Sequence, residues 1–222
     1  MSRPHVRIKV CGLTRAEDVR LAAALGADAL GFVFAGGPRA LTPAQARDLA
    51  AVAPPFVNRV GVFGPDQRRD APAIAEACRL DTLQVLGPPD PAYCAYFRGR
   101  FTIVAGLGMP PKAANGGAGP DLAGLQAGID ALAPHVDALL LDTAKAGMLG
   151  GTGERFEWSL LARLTSPVPL IVAGGLTAEN VGELVRQAEP WAVDVSSGVE
   201  AAPGVKDEAK LRAFIAAARA GV

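Results

Sequence analysis

Pro169-Leu-Ile-Val-Ala-Gly-Gly175-Leu-Thr177, followed by Trp191-Ala-Val-Asp-Val-Ser-Ser-Gly198-Val-Glu200, is the stretch that decides the fold. Each half is a short apolar run that breaks into small residues. Val168 to Val172 and Trp191 to Val195 are rich in β-branched side chains and bounded by turn signals, which predicts two buried strands. Gly174-Gly175 and Ser196-Ser197-Gly198 then let the chain turn tightly and leave backbone N–H groups unobstructed. Thr177 is placed to cap a helix from about Ala178 to Gln187. One Gly pair by itself reads as no more than a tight turn. Two such turns in consecutive strand–helix units, each opening toward a helix start, predict a nest of N–H donors that cradles a phosphate. A (β/α)8 barrel often keeps its phosphate site after the seventh and eighth strands, beside a short extra helix. The chain beyond Pro203 has room for one last helix, so these strands are read as the last of their series.

Upstream, apolar and amphipathic runs alternate. Strands are predicted at Val6 to Cys11, Ala29 to Phe34, Arg59 to Phe63, Thr82 to Leu86, Phe101 to Ala105 and Asp137 to Asp142. Thr14-Arg-Ala-Glu17 reads as a capping box opening a helix to Leu25, and Thr42-Pro43 as an N-cap and first-turn proline for a helix to Val52. Further helices are predicted at Ala71 to Cys78, Ala92 to Arg98, Leu122 to Ala133, Phe156 to Leu164 and Asp207 to Arg219. Gly106 to Pro120, crowded with Gly, Pro and Ala, reads as a long loop. Eight strand–helix units in series imply a parallel sheet buried on both faces, which suits the near-continuous apolar strands. The fold class is α/β, a single (β/α)8 TIM barrel spanning residues 1–222.

Composition narrows the function. The chain has 222 residues, 50% hydrophobic and 20% charged, which suits one domain with a sizeable core and excludes a disordered chain. Its 22 basic and 22 acidic residues cancel, and no basic block stands out, so nucleic acid and anionic membrane are poor partners. No apolar run approaches the ~18–20 residues of a membrane span, and Met1-Ser-Arg-Pro-His5 is not of signal type. Cys11, Cys78 and Cys94 are odd in number and without metal-like spacing. The expectation is a cytoplasmic protein with reduced thiols, a monomer or homodimer, acting on a small molecule.

In a barrel of this class, chemistry belongs at the C-terminal ends of the strands. His5 and His135 both precede their strands and are read as surface or structural histidines. The ionisable residues left at strand ends are Cys11, Arg39, Asp66, Asp142 and Lys145, with Asp194 inside strand eight. Cys11 is open to two readings: a general base whose thiol is made acidic by positive charge or N–H donors, or a small buried hydrophobe. Cys78 and Cys94 carry no such signal and read as packing. Asp142 ends an otherwise apolar strand, so burial could raise its pKa and make it a general acid; its alternative is to cap the turn at Thr143. Arg39, in Gly36-Gly-Pro-Arg39, is either a bidentate grip for a carboxylate or a solvated surface arginine. Asp194 either binds substrate or satisfies internal donors. Lys9 shares the barrel face of Cys11 but lies deeper. Gly147-Met-Leu-Gly-Gly-Thr-Gly153 reads as a loop able to close over a ligand.

Taken together, these residues resemble the phosphoribosylanthranilate isomerase family of tryptophan biosynthesis. The likeness is carried by Lys9-Val-Cys-Gly-Leu-Thr14, Gly36-Gly-Pro-Arg39, Arg59-Val-Gly-Val-Phe63 and Leu139-Leu-Leu-Asp142. It continues in Gly150-Gly-Thr-Gly-Glu-Arg-Phe-Glu-Trp158, Ala173-Gly-Gly-Leu-Thr-Ala-Glu-Asn180, Val193-Asp-Val-Ser-Ser-Gly-Val-Glu200 and Pro203-Gly-Val-Lys-Asp207. The resemblance implies an Amadori rearrangement of N-(5′-phosphoribosyl)anthranilate to 1-(2-carboxyphenylamino)-1-deoxyribulose 5-phosphate, with neither metal nor organic cofactor. It implies Asp142 as the general acid on the ribose ring oxygen and Cys11 as the general base at C2′. By the same likeness Arg39 binds the anthranilate carboxylate, and Gly174, Gly175, Ser196, Ser197 and Gly198 bind the phosphate. The chain departs from the family at Gln84-Val-Leu-Gly87, where Gln-Leu-His-Gly is usual.

Three rivals remain at this stage. The related histidine-pathway isomerase resembles a two-fold repeat with an aspartate where Cys11 stands, and this chain has no visible repeat. A lyase would use Lys9 or Lys145 as a Schiff base. A non-catalytic barrel would merely bind phosphate metabolites.

Overall fold

The computed structural model describes residues 5–87, 90–110, 121–143 and 156–221. Eight strands run β1 (Arg7–Cys11), β2 (Ala29–Val33), β3 (Asn58–Phe63), β4 (Thr82–Val85), β5 (Thr102–Met109), β6 (Ala138–Thr143), β7 (Leu170–Val172) and β8 (Ala192–Val195). They pair in parallel in that order, and β8 pairs with β1, closing the barrel. Around it stand α1 (Ala16–Ala24), α2 (Pro43–Ala50), α3 (Ala71–Cys78), α4 (Pro91–Phe97), α5 (Leu122–Leu132), α6 (Ala178–Ala188) and α7 (Glu208–Ala220). Parallel neighbours need a crossover between them, and a helix on the outside both supplies it and covers the strand's outer face.

Strand alternation sorts the residues into two layers. Ile8, Val10, Leu139, Leu141, Val193 and Val195 join the large cluster between strands and helices. The residues between them turn inward: Ala138, Leu140, Ile171, Ala173 and Ala192 pack together inside the barrel, as do Cys11, Val60 and Val62. A period of two therefore carries Lys9 and Cys11, Ala192 and Asp194, and Leu140 and Asp142 onto the inner face.

Several boundaries differ from expectation for identifiable reasons. β5 runs on to Met109, where Gly106 had suggested a loop, because its far end stays in register with β6: Gly106 with Leu140, Gly108 with Asp142. Val104 belongs to the inner cluster, so Gly106 and Gly108 share its face and leave that end of the strand without side chains opposite Asp142. Residues 111–120 lie outside the described residues.

The expected helix at Phe156 to Leu164 is a 3-10 segment, Trp158–Arg163. Its three-residue period stacks Trp158, Leu161 and Leu164, all buried, on one side. The expected capping box at Thr14 does not form. Arg15 takes the N-cap position of α1 without a side-chain cap, while Thr14 Oγ1 donates to the Gly204 carbonyl at 2.5 Å. A tertiary bond has displaced the local one. At Thr42 the expected cap is present, with Gln45 completing a capping box.

After β8 comes an element with no counterpart in the sequence reading. A single 3-10 turn (Ser197–Val199) is followed by an antiparallel pair, β9 (Glu200–Ala202) and β10 (Val205–Lys206). This small hairpin lies across the join between β1 and β8. It is tied down by the Thr14 bond and by Lys206 N donating to the buried Asp18 at 3.0 Å. Asp18 in turn receives Arg15 through two bonds, at 2.7 and 3.0 Å. Among the described residues no helix is long and apolar enough to cross a membrane.

Candidate active site

The strand ends and the loops beyond them enclose a mouth of about 570 Å³ at the C-terminal face of the barrel. Cys11, Arg39, Asp142 and Asp194 all line it, and so do both small-residue turns, Gly174-Gly175 and Ser196-Ser197-Gly198. Residues far apart in sequence thus share one cavity, because each stands at the same end of its own parallel strand. His5 and His135 lie at the other end, ahead of β1 and β6, and Asp66 is exposed in a 3-10 turn after β3. Cys78 and Cys94 are buried outside this mouth. Lys145 and the Gly147 to Gly153 loop fall outside the described residues.

The two turns brace each other. A Cβ added at Gly198 would collide with the Leu176 carbonyl, so the turn after β8 packs backbone against backbone on the turn after β7. Asn180 stiffens the latter: Oδ1 accepts from Thr177 N at 2.9 Å, and Nδ2 donates to the Gly175 carbonyl at 2.9 Å. Thr177 holds the N-cap position of α6, so the positive end of that helix faces the same corner. Rigid small-residue turns beside a helix start make an anion seat.

The ionisable groups stand beside these turns, and a Cβ added at Gly174 would collide with Asp142 Oδ1. Burial raises the Asp142 carboxyl to about 6, and the nearby Asp194 charge pushes the same way against the Thr143 N–H and the Lys9 ammonium. A carboxyl in that range carries its proton near neutrality to a useful extent. Cys11 is 8% exposed and packs against Val60, Val62 and the half-buried Leu86. Burial pushes its thiol up, and the Lys9 ammonium pulls it back. Leu86, where the resemblance leads one to expect a histidine, lines the mouth and presents an apolar wall there.

Lys9 Nζ meets Asp194 Oδ2 at 2.9 Å, with both side chains buried. Burial works against the ammonium, but Asp194 and Cys11 outweigh it and hold Lys9 firmly protonated. Among the described residues the other Asp194 oxygen, Oδ1, is buried without a hydrogen-bond partner, as are Gln84 Oε1 and Thr143 Oγ1. Asp194 and Gln84 both line the mouth. Unpartnered buried acceptors are costly, and these two on one cavity's lining can receive donors from a ligand.

Arg39 is not a solvated surface arginine: its side chain is 19% exposed. Its guanidinium does grip a carboxylate, but an internal one: Nε meets Glu200 Oε1 at 2.8 Å and Nη2 meets Oε2 at 2.6 Å. Glu200 also receives Lys206 Nζ at 2.9 Å. Sequence reasoning assigned no role to either residue. The readable signal was a pair of opposite charges flanking the Pro203-Gly204 turn, since a hairpin there brings them onto one face.

The chain matches the family model described as N-(5′-phosphoribosyl)anthranilate (PRA) isomerase over residues 8–217. It is 45% identical over 213 residues to the N-(5′-phosphoribosyl)anthranilate isomerase of Stutzerimonas stutzeri, covering 96% of each chain. Against that of Acidithiobacillus ferrooxidans it is 46% identical over 217 residues, covering 97% of this chain and 98% of the other. Among solved structures it is similar to the phosphoribosyl anthranilate isomerase of Thermotoga maritima, at 33% identity and a TM-score of 0.82, covering 96% of this chain and 98% of that one. It also resembles a phosphoribosyl anthranilate isomerase solved with reduced 1-(o-carboxyphenylamino)-1-deoxyribulose 5-phosphate, at 32% identity and a TM-score of 0.79 over the same shares.

Proposed function

The chain belongs to the N-(5′-phosphoribosyl)anthranilate isomerase family of tryptophan biosynthesis, and from that premise we propose how its own residues divide the work. The enzyme is an isomerase that rearranges the sugar of N-(5′-phosphoribosyl)anthranilate. The reading takes residues 1–222 as one catalytic barrel working in the cytoplasm on a small phosphorylated substrate.

Asp142 is the general acid. It protonates the ribose ring oxygen as the C1′–O bond breaks, and the anthranilate nitrogen's lone pair forms the Schiff base at C1′. Cys11, as thiolate, removes the C2′ proton, and the C2′–H electrons neutralise the iminium to give an enolamine. The enolamine then gains a proton at C1′ from the Cys11 thiol and gives up its 2′-hydroxyl proton to Asp142. That yields the ketone and returns both groups to their starting states. Lys9 is the counter-charge that makes the thiolate accessible in a buried site. The phosphate sits in the turns at Gly174-Gly175 and Ser196-Ser197-Gly198, the sugar hydroxyls meet the unpartnered Asp194 Oδ1, and Arg39 faces the anthranilate carboxylate.

The observation that carries this reading is an acid raised to about 6 and a thiol beside an ammonium, both lining one mouth. Turnover of N-(5′-phosphoribosyl)anthranilate, generated in situ, tests it. Cys11→Ala and Asp142→Asn are expected to lose ~10²–10⁴-fold in kcat while folding normally. Near-wild-type turnover in either removes that residue from the mechanism.

The lyase reading at Lys9 is disfavoured by the same geometry. A Schiff-base lysine must be a neutral amine to attack, and Asp194 holds this one as an ammonium. The binding-only reading predicts a wild-type chain that holds the product and turns nothing over.

A further inference from the structure

The hairpin after β8 carries two buried charges that the proton transfers do not use. Its register sets Lys206 opposite Glu200, so both side chains project from one face. The Lys206 ammonium is fully enclosed, and its three N–H bonds meet three acceptors. These are the Cys11 carbonyl at 2.7 Å, the Ser196 carbonyl at 3.1 Å and Glu200 Oε1 at 2.9 Å. Glu200 passes the connection to Arg39 through its two-bonded grip. The Arg39 stem lies across Gly12, whose φ of +74° and lack of a side chain make the room: a Cβ there would collide with Arg39 Cδ. One cluster therefore joins the backbone at the base, the backbone at the anion seat, and the arginine on the loop after β2.

Buried ion clusters are weak sources of stability, because desolvation offsets much of the attraction. What this one supplies is direction and charge. A guanidinium held along its Nε–Nη2 edge has a fixed plane, and its Nη1 edge makes no hydrogen bond among the described residues. Two cations against one carboxylate also leave a net positive charge beside a mouth that receives an anionic substrate.

Building on the isomerase reading above, we propose that Glu200 and Lys206 are positioning residues. Glu200 aims the Nη1 edge of Arg39 at the aromatic carboxylate of the substrate, and Lys206 fixes Glu200 relative to the base and the anion seat. The carboxylate lies away from the bonds that change, so the arrangement acts on binding rather than on the chemical step.

Steady-state kinetics of Glu200→Gln tests this, with N-(5′-phosphoribosyl)anthranilate and with N-(5′-phosphoribosyl)aniline, which lacks the carboxylate. The expected result is a KM about tenfold higher or more for the anthranilate, with kcat within about threefold, and no KM change for the aniline. In an Arg39→Lys background, Glu200→Gln adds no further KM effect. An unchanged KM, an equal rise for both substrates, or the same rise in both backgrounds overturns the positioning role. If Glu200→Gln does not fold, Glu200→Asp carries the same test, since one methylene fewer withdraws the carboxylate from Arg39. Wild-type chain inert toward both substrates overturns the isomerase reading instead, so the two failures are distinguishable.

Discussion

Two sides of one mouth are built on opposite principles. On the Lys206 side every strong donor of the ammonium is spent: three N–H bonds find three acceptors, and Glu200 is shared between two cations. On the Asp142–Asp194 side acceptors are left open: Asp194 Oδ1 and Gln84 Oε1 are buried and without a partner among the described residues. The saturated side has nothing left to offer a ligand except what it orients. The open side is destabilised as it stands and gains when donors arrive. Preorganisation and reactivity are thus assigned to different walls.

Three changes test that contrast, and the largest effect is expected on the saturated wall. Lys206→Met strands the Cys11 and Ser196 carbonyls and one Glu200 bond in a closed space. Removing one partner of a buried pair costs about 3–5 kcal/mol, read as a lower denaturant midpoint. A loss under about 1 kcal/mol would mean that water or another cation replaces the ammonium at once.

Asp142→Asn works in the other direction. The native pKa of Asp142, about 6, lies above the ordinary carboxylate value of 3.8, so the folded state holds this proton more tightly than the unfolded chain does. Ionisation therefore penalises the fold: the penalty is absent below about pH 4, grows as pH rises toward 6, and is complete above it. The asparagine variant should be more stable than wild type by roughly 1–3 kcal/mol at pH 7, with the gap closing by pH 4. Melting curves across that range decide it, and a gap independent of pH would show that packing, not charge, is responsible.

Gln84→Leu is expected to matter least for stability. It removes a buried carbonyl that has no partner among the described residues, so the midpoint should stay within about 1 kcal/mol of wild type, on the stabilising side. A fall of more than about 2 kcal/mol would show that Oε1 is not orphaned.

The same contrast explains what could be read from the sequence. Cys11 and Asp142 were reachable because each sits at the end of an apolar run, and strand alternation fixes which way such an end faces. The turns at Gly174 and Ser196 were legible for the same reason. Glu200 and Lys206 were not, because β9 and β10 have three and two residues and show no period to follow. Arg39 was placed correctly in the mouth, but its internal partner Glu200 was not foreseen, since that partner is 161 positions away. Local signals failed where distant contacts were stronger: Thr14 gave up its capping role to bond Gly204, and glycines at 106 and 108 mark an inner wall rather than a turn. Residues 111–120 and 144–155, including Lys145, contribute nothing to this comparison.

The hairpin's place in the chain has a consequence for synthesis. Cys11 is made before Asp142 and the turn after β7, and all of them precede Lys206. A nascent chain halted between β8 and β10 contains Cys11 and Asp142, yet lacks the ammonium that ties the end of the first strand to that of the last and the carboxylate that Arg39 grips. Completion of the mouth therefore waits for residues 200–206, whose charges tie the ends of β1 and β8 to Arg39.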